Sequence, residues 1–185
     1  MKKLIGIIAI LTIIFIYGCS KQPSSIKAKQ DGKPLIVMYG DFKCPYCKKV
    51  EDKVMPKLRN KYIDKNKVKF QYVNLAFIGK DSIIGSRAQQ AVNHYAPKYS
   101  LQFQKLMFEH QKDEDKKWIT HTLIDKQIDK LNISNKTKDK IKTNYKTKNS
   151  TSWKAAEKDK KLGKEHHIKQ TPTAVSYTHL WWREG

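Results

Sequence analysis

The chain has 185 residues, of which 38 are basic and 17 acidic, a formal net charge of +21. Charge of that size attracts anionic polymers, but the lysines are spread along the whole chain and only Arg59, Arg87 and Arg183 are arginine, the residue that bidentate phosphate and base recognition favours, so specific nucleic-acid binding is excluded. What remains is a basic surface that is solvated or turned toward anionic polymers and lipid headgroups of an envelope, on a chain long enough for one domain with a proper core.

The N-terminus is a leader. Lys2 and Lys3 precede an apolar run from Leu4 to Tyr17, broken only by Gly6 and Thr12. The run is short for a bilayer span and suited to the apolar region of a signal peptide. It ends in Ile16-Tyr17-Gly18-Cys19, which resembles the lipobox of bacterial lipoproteins. Residues 1–18 are expected to be a lipoprotein signal peptide, with Cys19 lipidated as the membrane anchor. The alternative is a short uncleaved membrane anchor, and both place the rest outside the cytoplasm. Residues 19–32, polar and carrying Pro23, Ser24 and Ser25, read as a flexible tether.

The folded part opens with Leu35-Ile36-Val37-Met38-Tyr39, an apolar and partly β-branched run that suits a central strand, stopped by Gly40-Asp41. Cys44-Pro45-Tyr46-Cys47 follows, and then a helical pattern in which Val50, Val54, Leu58 and Tyr62 recur every four residues, with a kink expected at Pro56. Val68 to Leu75 reads as a second strand, with Val68, Phe70, Tyr72 and Asn74 on one face. Strand, helix and strand in this order form a right-handed βαβ unit, with the cysteines at its first strand-to-helix junction.

That junction explains the chemistry expected of the pair. Pro45 suits the first helical position and makes Cys44 the N-cap, its sulfur facing the free N–H groups of the first turn, that of Cys47 included. These donors and the helix dipole favour a thiolate, so the Cys44 pKa is expected to be depressed. Cys47 lies one turn inside, within disulfide reach and less exposed, which casts Cys44 as the attacking sulfur and Cys47 as the resolving one. Pro45 and Tyr46 between them adjust the redox potential. With Cys19 consumed as an anchor no other thiol remains, and a lone vicinal pair on an exported chain serves reversible chemistry better than stapling. An inert disulfide and half of a zinc site are the alternatives; a zinc site lacks its second pair, since His166 and His167 are adjacent and His94, His110 and His121 scattered. Neither metal nor cofactor is expected. Asp41 and Glu51, the carboxylates nearest the cysteines, read as solvated, with a partial part in proton transfer as the alternative.

From 79 to 165 the pattern is helical throughout. Ala88, Ala91, Val92 and Tyr95 form one stripe, Phe103, Leu106, Met107 and His110 a second, and Ile124, Ile128 and Leu131 a third, all read as core. Asp81 and Ser100 are placed as helix caps, and Asn132-Ile133-Ser134 as a break before a newly capped helix.

Phe42-x-Cys44-Pro45-Tyr46-Cys47 after an apolar strand resembles the thioredoxin superfamily, and the wider chain its DsbA-like branch of Gram-positive type. The resemblance covers about residues 33–175. It implies an α/β thioredoxin-like fold in two parts, 33–78 and 166–185, interrupted by an all-helical domain at 79–165. It further implies a cis-proline at Thr171-Pro172, opposite the cysteines, as the element that docks an extended substrate. After Pro172 too few residues remain for the usual closing strand and helix, and Lys169 is the last lysine. Residues after about Val175 are therefore expected to come from a frameshift, truncation or chimeric gene, leaving the C-terminal strand and helix truncated. The function implied is that of an extracytoplasmic, monomeric thiol–disulfide oxidoreductase that donates disulfides to reduced, unfolded secreted proteins. A reductase or isomerase of the same fold and a non-enzymatic, basic, envelope-binding lipoprotein are the alternatives. Glutaredoxins share Cys-Pro-Tyr-Cys but lack the leader and the helical insertion.

Overall fold

The computed structural model describes residues 32–177. The leader, Cys19, all but the last residue of the tether, and residues 178–185 lie outside the described residues.

The βαβ unit consists of β1 (Leu35–Gly40), α1 (Pro45–Lys53), a short α2 (Met55–Leu58) running into a π-helical turn (Arg59–Ile63), and β2 (Lys69–Asn74). Five helices follow: α3 (Ser82–Tyr95), α4 (Ser100–Glu109), α5 (His121–Asp129), α6 (Asn135–Lys146) and α7 (Thr151–Glu165). β3 (Thr173–Tyr177) closes the described fold. The sheet order is β2-β1-β3, so the apolar run at 35–40 is central, as its composition predicts. β1 pairs in parallel with β2, Leu35 opposite Lys69 through Gly40 opposite Asn74. It pairs antiparallel with β3, Leu35 opposite Tyr177 and Tyr39 opposite Thr173.

The pleat of β1 divides the core. Leu35, Val37 and Tyr39 point to one face, where they meet Val73, Leu75 and Leu162 of α7, with Ile168, Val175 and Tyr177 alongside. Met38 points to the other face, into a larger cluster that holds Cys44, Cys47, Phe42 and Tyr72 together with Phe103, Met107 and Phe108 of α4 and the apolar stripes of α3, α5 and α6. The three stripes of the 79–165 segment are there: Ala88, Ala91, Val92, Phe103, Met107, Ile124, Ile128 and Leu131 are all buried, with Tyr95, Leu106 and His110 half-buried. Among the described residues no helix is long and apolar enough to cross a membrane.

Three local expectations need correction. The buried stripe of α1–α2 is Cys47, Glu51 and Met55, while Val54 and Tyr62 of the expected stripe are 51% and 45% exposed. Cys47 must face the core, and this rotates the helix by about one position. The break falls at Val54 (φ −104°), two residues before Pro56, which sits in the first turn of α2 where no N–H is missed. Asp81 stands at the N-cap position of α3 but makes no side-chain capping bond, and Ser100 does not cap. Asp81 turns its carboxylate elsewhere, and Ser100 is already inside α4, where its hydroxyl donates to Asn93 Oδ1 at 2.6 Å. Ser134 does cap α6, accepting from the N–H of Thr137 at 3.2 Å.

Candidate redox-active site

β1 delivers the chain to the edge of the large cluster, and Asp41 turns it. Its carbonyl accepts the N–H of Cys44 at 3.0 Å, and its carboxylate accepts the N–H of Lys43, Phe77 and Ile78 and the hydroxyl of Ser82, all at 2.9–3.0 Å. Asp41 is fully buried and Glu51 is 4% exposed, so neither carboxylate is solvated as their sequence neighbourhood implied. Segments distant in sequence cover both. Glu51 accepts from Arg59 Nη2 at 2.6 Å and from Gln104 Nε2 at 2.7 Å. Burial nevertheless pushes its carboxyl above the usual range, against the pull of Arg59 and Gln104.

Cys44 is the N-cap of α1 and Pro45 its first residue. The Cys47 N–H donates to Cys44 Sγ at 3.1 Å, and the Cys44 thiol faces the Thr171 carbonyl at 3.4 Å. Both cysteines are thiols, 2% and 0% exposed, so the difference in access expected between them is slight. The Cys44 pKa is lowered to about 6: the hydrogen bond from the Cys47 thiol contributes most, burial opposes it, and the Thr171 side chain and the N–H groups of Cys47 and Tyr46 add to the lowering. Cys47 moves up, because its proton is held in the bond to Cys44 and because it is buried. The two thiols are thus driven apart, one toward the thiolate and the other toward the protonated form.

The remaining predicted residues fall around this pair. Pro45 and Tyr46 are exposed, Tyr46 to 64%, with Lys49 Nζ 4.6 Å from the centre of its ring. The Thr171–Pro172 peptide is cis, and Thr171 lies beside Cys44 although 127 residues separate them. Cys19 lies outside the described residues.

Several residues that build the site gave no such signal in the sequence. Lys43 is one lysine that is not solvated: at 2% exposure its ammonium pairs with Asp81 Oδ1 at 2.9 Å and donates to the Lys116 carbonyl at 3.0 Å. Burial disfavours the Asp81 carboxylate, but the N–H of Ile119, the Lys43 ammonium and the N–H of Trp118 outweigh it and hold the carboxyl below its usual range. Tyr72 stacks on Phe42, ring centres 5.8 Å apart, and its buried hydroxyl has no partner among the described residues. Burial, and then the charges of Cys47, Asp41, Cys44 and Glu51, keep that phenol protonated. Gln111 reaches the same turn from beyond α4. The adjacency of Asp41 and Lys43 to the motif was the one available sign for that part of the network. Gln111 stands in a polar run and offered none.

A thioredoxin family model matches residues 26–176. Disulfide bond formation protein D of Bacillus subtilis is 33% identical over 159 residues, which cover 83% of this chain and 69% of that relative. A probable disulfide bond formation protein D of Bacillus cereus is 38% identical over 96 residues, 52% of this chain and 44% of the relative. The crystal structure of oxidised BdbD from B. subtilis superposes with a TM-score of 0.70 at 31% identity, covering 82% of this chain and 80% of that one. The crystal structure of Chlamydia trachomatis DsbA shares the fold, with a TM-score of 0.64 at 18% identity, over 82% of this chain and 80% of that one.

Proposed function

The chain belongs to the thioredoxin family as a DsbA-like protein-disulfide oxidoreductase, and on that premise we propose that it donates disulfides, outside the cytoplasm, to reduced and unfolded secreted proteins. The observation that carries this direction is the position of Cys44 Sγ over the first turn of α1, 3.1 Å from the Cys47 N–H, with a pKa lowered to about 6. A stabilised thiolate is a good leaving group and makes a disulfide that is readily reduced, the mark of an oxidant.

In the proposed cycle a substrate thiolate attacks Cys44 of the Cys44–Cys47 disulfide. The new bond joins substrate sulfur to Cys44, and Cys47 leaves as a thiolate that takes up a proton, as its raised pKa favours. A second substrate thiolate then attacks the substrate sulfur of this mixed disulfide. Cys44 leaves as a thiolate, the substrate departs with its disulfide, and two electrons remain in the dithiol. Thr171 and Pro172 hold the substrate segment beside Cys44, and Pro45 and Tyr46 set the potential. A separate disulfide donor must reoxidise the pair.

The same reading gives the chain a lipid anchor at Cys19 after removal of residues 1–18, a tether over 19–32, thioredoxin-like parts at 33–78 and 166–185 around a helical insertion at 79–165, and a monomeric state. Its lysines face anionic cell-wall polymers.

The test is the equilibrium between Cys44–Cys47 and glutathione. A potential above roughly −200 mV is expected. A value well below it reverses the proposed direction and makes the protein a reductase. Cys44→Ser should abolish exchange, and retained exchange would remove Cys44 from its role.

A further inference from the structure

Gln111 lies two residues past the end of α4 and 67 residues from Cys44 in sequence, yet its side chain ends at the active-site turn. Nε2 donates to the carbonyl of Phe42 at 2.6 Å and to that of Cys44 at 3.0 Å. One amide nitrogen thus commits both of its hydrogens to the two carbonyls that bracket Lys43. The Cys44 carbonyl is also the first acceptor of α1, taking the Lys48 N–H at 3.2 Å. On the other side, Asp41 holds the N–H of Cys44 at 3.0 Å through its carbonyl and that of Lys43 at 2.9 Å through its carboxylate. The Cys44 backbone is therefore fixed at its N–H from within the turn and at its carbonyl from outside it. Its torsions, φ −71° and ψ 116°, are those that aim Sγ at the Cys47 N–H. A cysteine has a single side-chain torsion, with staggered wells set by the backbone, so the place of the sulfur follows the place of the backbone.

We infer that Gln111 is a positioning residue for thiol–disulfide exchange: its grip on the Phe42 and Cys44 carbonyls keeps Cys44 in its N-cap conformation, with the sulfur over the first turn of α1. The inference rests on the reading of Cys44 as the exchanging sulfur. The loop that carries Gln111 is itself fastened to the turn, through the Lys116 carbonyl on Lys43 and the N–H groups of Trp118 and Ile119 on Asp81. The helical segment thereby reaches the backbone carbonyls of the turn through the Gln111 side chain. Hydrogen bonds weaken steeply with misalignment, so a turn slackened at the Cys44 carbonyl loses the Cys47 N–H from Sγ before it loses its fold. A glutamine that merely fastened a loop would affect unfolding and leave the sulfur unchanged.

The experiment is pH-dependent alkylation of the reduced full chain, with modification at Cys44 resolved by peptide mass, in the wild type, Gln111→Ala and Gln111→Glu, alongside thermal unfolding. Glutamate keeps the length of the side chain but sets acceptor oxygens against two carbonyls. The Cys44 midpoint is expected to rise by about half a unit to one unit in Gln111→Ala and further in Gln111→Glu, so that alkylation at pH 6 slows about two- to fivefold or more. The equilibrium with glutathione should shift the same way, toward a disulfide harder to reduce. If Gln111→Ala does not fold, Gln111→Asn replaces it, with an intermediate midpoint expected. An unchanged midpoint in the folded variants, whatever their unfolding temperatures, overturns the inference. Exchange retained in Cys44→Ser would remove the parent reading, while the effect of Gln111 on the Cys44 midpoint would stand.

Discussion

Asp159 is a buried carboxyl that the proposed chemistry does not use. It sits in α7 at 5% exposure, accepting from Gln90 Nε2 at 2.6 Å and from the Asn74 N–H at 3.3 Å. Burial raises its pKa to about 7, with those two bonds and Lys158 opposing. The unfolded carboxyl titrates near 4, so between about pH 4 and pH 7 the folded chain holds a proton that the unfolded chain releases. Stability from this group is complete below about pH 4 and is lost as pH rises through 7. An asparagine in its place would accept the same two hydrogen bonds without titrating. Urea unfolding of Asp159→Asn should therefore match the wild type near pH 4 and exceed it by a few kcal/mol at pH 8. Equal curves at both pH values would show that the carboxyl is not held neutral. The opposite holds for Cys44: its lowered pKa stabilises the reduced fold above the ordinary thiol range, and that contribution is lost as pH falls through about 6. Cys44, Cys47 and the N-cap geometry were legible because they depend on four consecutive residues. The burial of Asp41, Glu51 and Lys43 was not, because it is decided by Phe77, Ile78, Ser82, Arg59, Gln104 and Asp81, which reach those side chains only in the folded chain.

Between elements, the Lys43–Asp81 pair joins the turn after β1 to the start of α3 and, through the N–H groups of Trp118 and Ile119, to the segment before α5. Both side chains are 3% exposed. A buried pair adds little over apolar packing, but removing one partner strands the other charge. Asp81→Asn is expected to lower the unfolding free energy by about 3–5 kcal/mol, and the double change Lys43→Met with Asp81→Asn, which keeps an acceptor for the Trp118 and Ile119 N–H groups, by clearly less. Chemical denaturation checks both, and equal losses would mean that Lys43 finds another counter-charge. Periodicity located β1, β2 and the three apolar stripes, since each is a short local pattern. It misplaced the α1–α2 register because Val50, Val54, Leu58 and Tyr62 form as regular a series as Cys47, Glu51 and Met55. Only the demand that Cys47 face the core chooses between them. The side-chain capping bonds failed at Asp81, which does hold the N-cap position, and at Ser100 for a related reason: both side chains found partners in other elements.

For the whole molecule, a net charge of +21 means self-repulsion in the compact state. Exposed pairs such as Lys48–Asp52 at 2.8 Å and Lys161–Glu165 at 3.4 Å offset little of it, since each is worth well under about 1 kcal/mol. Raising salt from about 20 mM to about 300 mM should therefore raise the unfolding temperature by a few degrees, because screening removes more repulsion than attraction. A fall in unfolding temperature would place the balance with the ion pairs. The architecture at this scale was legible through resemblance more than through pattern: nothing in the periodicity of Thr173–Tyr177 says that it lies against Leu35–Tyr39 rather than at a free edge.

Among the described residues the two faces of the sheet are unequal. The cysteines belong to the broad cluster shared with four helices, whereas among the described residues the face under Ile168, Val175 and Tyr177 has Leu35, Val37, Tyr39, Val73, Leu75 and Leu162 beneath it. Regions with few buried apolar contacts open at lower free energy than the global transition. The amides of β3 are therefore expected to exchange with solvent sooner than those of the β1–β2 pair, and hydrogen exchange would show whether a change at β3 is felt at the Cys44 sulfur through Thr171.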